Sequence, residues 1–193
     1  MSGNPHRLAV VIGSVRQGRI GPGVASWFAQ EARKHGHFAI DVIDLAEARL
    51  PELLTDEPPT EVRALAPRLA AADAFVLVTP EYNRSFPASL KTAIDWYVEE
   101  WQAKPVGLVS YGGIGAGIRS SEALRPVLTE LHAVVVRDAI NIRNVWEDMD
   151  DSGTLRAPAE LDAAAKVLLD QLAWWGTALH DAKAKQPFKA GPA

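Results

Sequence analysis

A chain of 193 residues is long enough for one domain with a sizeable core, and 48% hydrophobic against 23% charged residues is the balance of a globular protein. It has no cysteine, which excludes disulfides, thiolate chemistry and Cys-based metal sites and suits a reducing compartment. A net charge of −4 argues against a nucleic-acid-binding face, and no apolar stretch approaches the roughly 20 residues that span a bilayer.

Met1 to Arg7 is short and polar, and the apolar run after it ends at Gly13, so no secretory signal is expected. The expectation is a soluble, cytoplasmic protein. Leu8 to Ile12 is continuously apolar, as for a central parallel strand covered on both faces. A helix follows over Gly21 to Lys34, with Val24, Trp27, Phe28 and Ala32 on one stripe. Phe38 to Leu45 reads as a second strand. A Pro-rich connection then leads to a helix that Thr60 could cap.

Ala74 to Val78 is a third buried strand, stopped at Pro80. The next helix begins near Pro87, with Ser85 as a possible cap, and runs to about Glu100. Pro105 to Val109 is a fourth strand, closed by Ser110-Tyr111-Gly112-Gly113. A helix over Ser120 to Leu131 follows, with Pro126 either near its first turn or kinking it. Val134 to Ile142 is a fifth strand. Asn144 to Pro158, acidic at its centre, reads as an exposed loop. A final helix over Ala159 to Ala184 carries Leu161, Val167, Leu168, Leu172 and Trp175 on its apolar face, and the tail from Lys185 is expected to be mobile.

Strands alternating with helices make a doubly wound parallel sheet with helices on both faces, in one domain. Such sheets bind ligands beyond the carboxyl ends of their strands, where the winding reverses. The loops after the first, third and fourth strands converge there.

The first loop, Gly13-Ser14-Val15-Arg16-Gln17-Gly18-Arg19-Ile20-Gly21, joins hydroxyl and guanidinium donors to a helix start with unpaired amides, which suits a phosphate. It is neither a Walker loop nor a clean dinucleotide fingerprint, and the alternative is an unliganded turn. In the second, Thr79-Pro80-Glu81-Tyr82-Asn83-Arg84, exposed amides beside an aromatic face could edge a planar heterocycle. The third, Ser110-Tyr111-Gly112-Gly113-Ile114-Gly115-Ala116-Gly117, lets backbone approach a ligand closely.

The segment Pro80 to Trp96 resembles the Pro-Glu-Tyr-Asn…Pro…Leu-Lys…Ala-Ile-Asp-Trp motif of the NADPH-dependent FMN reductase family, and Gly13-Ser14-Val15-Arg16 is similar to its Gly-Ser-x-Arg phosphate loop. The likeness covers roughly residues 7 to 142. It implies a flavodoxin-like sheet of order 2-1-3-4-5 and FMN as cofactor. Gly13, Ser14, Arg16, Gly18, Ile20 and Gly21 would hold the phosphate, with Arg19 standing where many members have a small hydroxyl residue. Pro80, Glu81, Tyr82 and Asn83 would border the isoalloxazine and ribityl chain, and Ser110, Tyr111, Gly112 and Gly113 would meet the pyrimidine side.

On that resemblance the chain takes a hydride from NADPH or NADH and passes it through flavin N5, in ping-pong fashion, to a quinone, free flavin or other small acceptor. No side-chain acid or base is expected to be essential; Tyr82 and Asn83 shape the face. A homodimer or tetramer is implied, and Trp96, Tyr97 and Trp101 would suit the contact. The rival is a non-enzymatic flavodoxin-like carrier or sensor. Arg16, Arg19 and Arg84 on the ligand rim favour an anionic dinucleotide visitor instead. No histidine has a partner at zinc-motif spacing, the Glu147 to Asp151 run lacks EF-hand pattern, and no metal is expected. Lys91, Asp95, Trp174 and Trp175 read as structural or subunit-contact residues.

Overall fold

The computed structural model describes residues 6–190. Strands β1 (His6–Ile12), β2 (Phe38–Asp44), β3 (Ala74–Pro80), β4 (Pro105–Gly112) and β5 (Val134–Arg143) form one parallel sheet in the order β2-β1-β3-β4-β5. This is the doubly wound arrangement of the flavodoxin type. Helices α1 (Gly21–His35) and α6 (Ala159–Lys185) cover one face. Helices α3 (Thr60–Ala70), α4 (Ala88–Trp96) and α5 (Ile118–Glu130) cover the other, and a single turn, α2 (Leu45–Ala48), follows β2.

The alternation of side chains along each strand builds two cores. Leu8, Val10 and Ile12 of β1 face Val24, Phe28, Leu168 and Leu172, whereas Ala9 and Val11 face Leu65, Leu90 and Ile94. Every residue of β3 is buried, as its continuous apolar run predicts for a central strand. Gly107 permits α6 to pack tightly on β4, since a Cβ there would stand 3.1 Å from Leu168 Cδ1 and 3.2 Å from Leu172 Cδ1.

Several local expectations are corrected. Thr60 is the first helical residue of α3, with Pro59 at the cap position, and Ser85 caps nothing because it closes a tight turn with Tyr82. α4 stops at Trp96, where Tyr97 becomes extended; a 3-10 turn, Glu99–Trp101, brings the chain back under β3. Tyr97 and Trp101 are therefore core residues, 2% and 1% exposed, and Trp96 is half-buried with its indole N–H donated to Pro51 O. Tyr97 and Trp101 thus supply no open contact surface. Pro126 lies well inside α5 rather than in its first turn. On α6, Leu168, Leu169 and Leu172 are buried, but Val167, Trp174 and Trp175 point outward. Beyond α6, the half-exposed Phe188 ring lies 5.6 Å from that of His132; 191–193 lie outside the described residues.

Lys104, 6% exposed, donates from Nζ to Leu69 O and Ala70 O at the end of α3 and lies 5.4 Å from the Phe75 ring centre. Burial, with the Lys183 charge adding, pushes its ammonium down to about 8. Between that value and the ordinary 10.5 the unfolded chain keeps a proton that the folded chain has lost, so stability rises with pH across this window. Denaturant midpoints at pH 7.5 and 9.5 should reveal a gain of about 1–2 kcal/mol, flattened in Lys104→Met.

Candidate functional site

The carboxyl ends of β1, β3 and β4 open onto a cleft of about 350 Å³. The order of the sheet places β1 between β2 and β3, so the winding reverses beside this cleft. Ser14, Arg16, Gln17, Gly18, Arg19 and Ile20 line it from the β1 loop, Pro80, Glu81 and Tyr82 from the β3 loop, and Tyr111, Gly112 and Gly113 from β4. The three segments singled out in the sequence do converge. A second cleft of about 460 Å³ lies on the other side of Arg16 and Tyr82, toward Leu45, Arg49 and Thr92.

The β1 loop has the character of an anion cradle. α1 begins after Ile20 with no side-chain cap, no acidic residue in its first turn and Pro22 near its start. Among the described residues, the amides of Ser14 to Gly21 find no backbone carbonyl, whereas Gly13 N–H is taken by Val78 O and Gly23 N–H by Ile20 O. Free N–H groups at the positive end of a 15-residue helix suit a phosphate, and Arg16 is exposed beside them. Gly21 has to be glycine, because a Cβ would meet Ile12 Cγ2 at 2.9 Å and the Tyr111 hydroxyl at 3.0 Å.

Arg19 is differently placed. Its Nη2 donates to Asp44 Oδ2 at 2.5 Å, where Asp44 also caps α2 through Ala46 N–H. The ion pair is mostly buried, so this guanidinium is held as part of the wall, tying the loop to the end of β2. Its Nε has no partner.

In the β3 loop, Tyr82 and Ser85 exchange N–H···O bonds across a two-residue turn in which Asn83 and Arg84 have φ of 49° and 70°. Glu81 N–H is given to Tyr111 O. The amides of Glu81 and Tyr82 are thus consumed internally, and the expectation that they face a ligand is corrected. What they do is fix Tyr82, whose hydroxyl is hydrogen-bonded to Ser14 Oγ at 2.9 Å. Asn83 is exposed at the tip of this turn and does not line the cleft. The Glu81 carboxylate accepts from Arg119 Nη1 at 2.7 Å and from Arg119 N–H, which balances its charge beside the cleft.

β4 runs three residues further than the sequence suggests. Ser110, Tyr111 and Gly112 pair with Asn141, Ile142 and Arg143, and only then does the glycine segment turn. Ser110 is fully buried; its hydroxyl donates to Asn141 Oδ1 and accepts from Ser121, so its side chain supports the loop from below without reaching the cleft. Gly13 is likewise behind the wall, with its carbonyl accepting from Ser89. The Tyr111 phenol is held protonated by burial and by Tyr82 nearby. Gly117, at φ 81°, begins α5 and lies against Tyr111 N and Ser110 Oγ.

Two lining residues carried no sequence signal, Val145 and Trp146. They occupy a 3-10 turn, Val145–Asp148, after β5; Val145 is buried and Trp146 is half-exposed over Gly113. The acidic run beside them made the segment look like featureless loop. Trp146, 54% exposed, is an apolar side chain at the edge of the cleft.

Comparison with known proteins agrees with this geometry. A flavoenzyme, the NAD(P)H:(acceptor) oxidoreductase FerB from Paracoccus denitrificans, superposes with a TM-score of 0.74 at 22% identity, covering 90% of this chain and 98% of that one, which establishes the fold. A 2-hydroxy-1,4-benzoquinone reductase of Burkholderia sp. is 31% identical over 178 residues, 88% of this chain and 95% of its own length. An NAD(P)H-dependent FMN reductase of Schizosaccharomyces pombe is 35% identical over 127 residues, 60% of this chain, and the match spans 62% of the yeast protein. Residues 6–147 match the family described as NADPH-dependent FMN reductase. The chain belongs to that family and is an NAD(P)H-dependent flavin oxidoreductase that uses FMN.

Proposed function

We propose that this chain binds FMN in the cleft at the carboxyl ends of β1, β3 and β4 and serves as an NAD(P)H:quinone-type reductase. The observation that carries the reading is the uncapped, carboxylate-free start of α1 beside Arg16 and the free amides of Ser14 to Gly21. That donor set fits a phosphate dianion and has no other evident use.

FMN, when bound, supplies hydride transfer through N5, from the nicotinamide to an acceptor such as a quinone, in a ping-pong cycle. The residues of the chain do the positioning. Ser14, Arg16, Gly18 and Ile20 hold the phosphate end. Tyr82, fixed by Ser14 and by its own turn, sets the face on which nicotinamide and acceptor take turns, with Asn83 at the tip. Gly112 and Gly113 bring backbone close to the pyrimidine side, where donors stabilise negative charge. Trp146 covers the mouth and limits the size of the acceptor. None of these roles needs a side chain that gains or loses a proton.

A cytoplasmic homodimer or tetramer belongs to the same proposal. The exposed Trp174–Trp175 pair and Trp146 at the edge of the cleft are the surfaces it would use in place of Tyr97 and Trp101. No helix among the described residues is long and apolar enough to cross a membrane.

The test is to load purified protein with FMN, remove the excess, and add NADPH without oxygen while following visible absorbance. Colour that bleaches promptly and returns with a quinone supports the reductase. Retained colour that neither NADPH nor NADH bleaches would make the protein a carrier or sensor.

A further inference from the structure

At the opposite end of the sheet from the flavin cleft, the fold gathers residues that sequence spacing keeps far apart. His6 opens β1, Asp73 immediately precedes β3, and His180 lies on the last turns of α6. Their ligating atoms all lie within 4.8 Å of one another. His6 Nδ1 is 3.6 Å from Asp73 Oδ2, and His180 Nδ1 is 3.2 Å from Asp73 Oδ1.

We propose that His6, Asp73 and His180 form a binding site for a divalent transition-metal cation of the zinc type. Ligands placed 2.0–2.1 Å from a tetrahedral centre stand about 3.3–3.4 Å apart; His180 is near that spacing from one Asp73 oxygen and His6 is 3.6 Å from the other, so a small turn of the side chains brings both imidazoles and one carboxylate oxygen onto a single ion. Two imidazoles and one carboxylate are a donor set suited to Zn²⁺, with a fourth position left to water.

The surroundings also fit. His6 Nε2 lies 3.3 Å from Thr177 Oγ1, so an N–H on that nitrogen can donate to the hydroxyl and leave the Nδ1 lone pair aimed at Asp73. Asp73 Oδ2 accepts from Arg7 N–H at 2.8 Å, which fixes the carboxylate as outer hydrogen bonds fix metal ligands. His37 stacks on His6 with ring centres 5.2 Å apart and closes one side, its Nε2 buried and without a partner. His180 is half-exposed, giving an entry path and freedom to close on an ion. A bare His–Asp–His hydrogen-bonded group is the competing account. It accounts for the 3.2 Å contact of His180 with Asp73 Oδ1, but the 3.6 Å separation of His6 from Oδ2 is too long for a hydrogen bond and is left without one.

Bound metal would join the far end of α6 to β1 and to the start of β3, a stabilising function separate from redox chemistry. The full chain, free of affinity tags and loaded with FMN, is titrated with ZnCl₂ by calorimetry, and metal content is measured after dialysis. The proposal expects one Zn²⁺ per chain, a melting-temperature rise on the order of 5–10 °C at a hundredfold excess over Kd, and an unchanged flavin spectrum. His180→Ala, at a half-exposed position, should weaken binding by at least roughly tenfold while keeping FMN, with Asp73→Asn acting likewise. His132→Ala, outside the group, should bind as the parent does. Absence of saturable binding, or a His180→Ala protein that binds zinc like the parent, overturns the site.

Discussion

Gly117→Ala is expected to lower the melting temperature by roughly 10 °C and to weaken FMN retention more than tenfold at temperatures where the variant is still folded. Two causes add. The residue sits at φ 81°, where an L side chain costs about 1–2 kcal/mol. The new Cβ would also stand 2.5 Å from Tyr111 N and 2.6 Å from Ser110 Oγ, and neither neighbour can yield, because one is strand backbone and the other is bonded to Asn141. Any relief must displace Tyr111 or the start of α5, and with them Gly112 and Gly113 on the cleft wall. The combined cost is about 3–5 kcal/mol. Gly36→Ala is the control. It has φ 79° with nothing within 4 Å, so only the conformational cost of about 1 kcal/mol applies and FMN binding stays unchanged. Equal losses in the two variants would show that the contact at Gly117 is irrelevant to the cleft.

Arg16→Ala should raise the Kd for FMN by about 10–100-fold, the worth of one charge-assisted hydrogen bond of about 1.5–3 kcal/mol. Arg16 is exposed and belongs to no ion pair among the described residues, so its removal leaves the fold intact and the loss reads on the ligand alone. Riboflavin, which lacks the phosphate, should bind parent and variant equally. Arg84→Ala is expected to change neither constant, since Arg84 stands on the turn beyond Tyr82 and does not line the cleft. Titration by flavin fluorescence decides the matter: FMN affinity within twofold of the parent in Arg16→Ala would end the phosphate assignment.

The parts of this molecule that could be read from its sequence are those specified locally. Five apolar runs became five strands, and Val24, Trp27, Phe28 and Ala32 all pack inward from α1 as their spacing implies. The first loop stood out as a candidate phosphate cradle because glycine, hydroxyl and guanidinium residues meet a helix start within nine positions. What stayed hidden depends on pairing across long stretches of chain. Ser110 looked like a loop hydroxyl, and only the ladder to Asn141 and the bond to Ser121 make it a buried strut. Tyr97 and Trp101 looked like an exposed aromatic face until the break after Trp96 turned them under β3. Asp73 and His180 are 107 positions apart, and no spacing rule joins them.

The single hydrogen bond between Ser14 and Tyr82 has a consequence for how the cleft reports its own occupancy. One oxygen belongs to the segment that would receive a phosphate and the other to the ring that would flank the reacting surface. An anion drawing on the Ser14 hydroxyl must alter what that hydroxyl offers to Tyr82, and any rearrangement of Tyr82 must alter the affinity for the anion by the same factor. With FMN seated as proposed, the tail and head of the cofactor would be thermodynamically linked through these two side-chain oxygens. A flavin without its phosphate would fill the same space yet leave the visiting nicotinamide with a differently set partner, so that dephosphorylation would mistune the enzyme as well as loosen its cofactor.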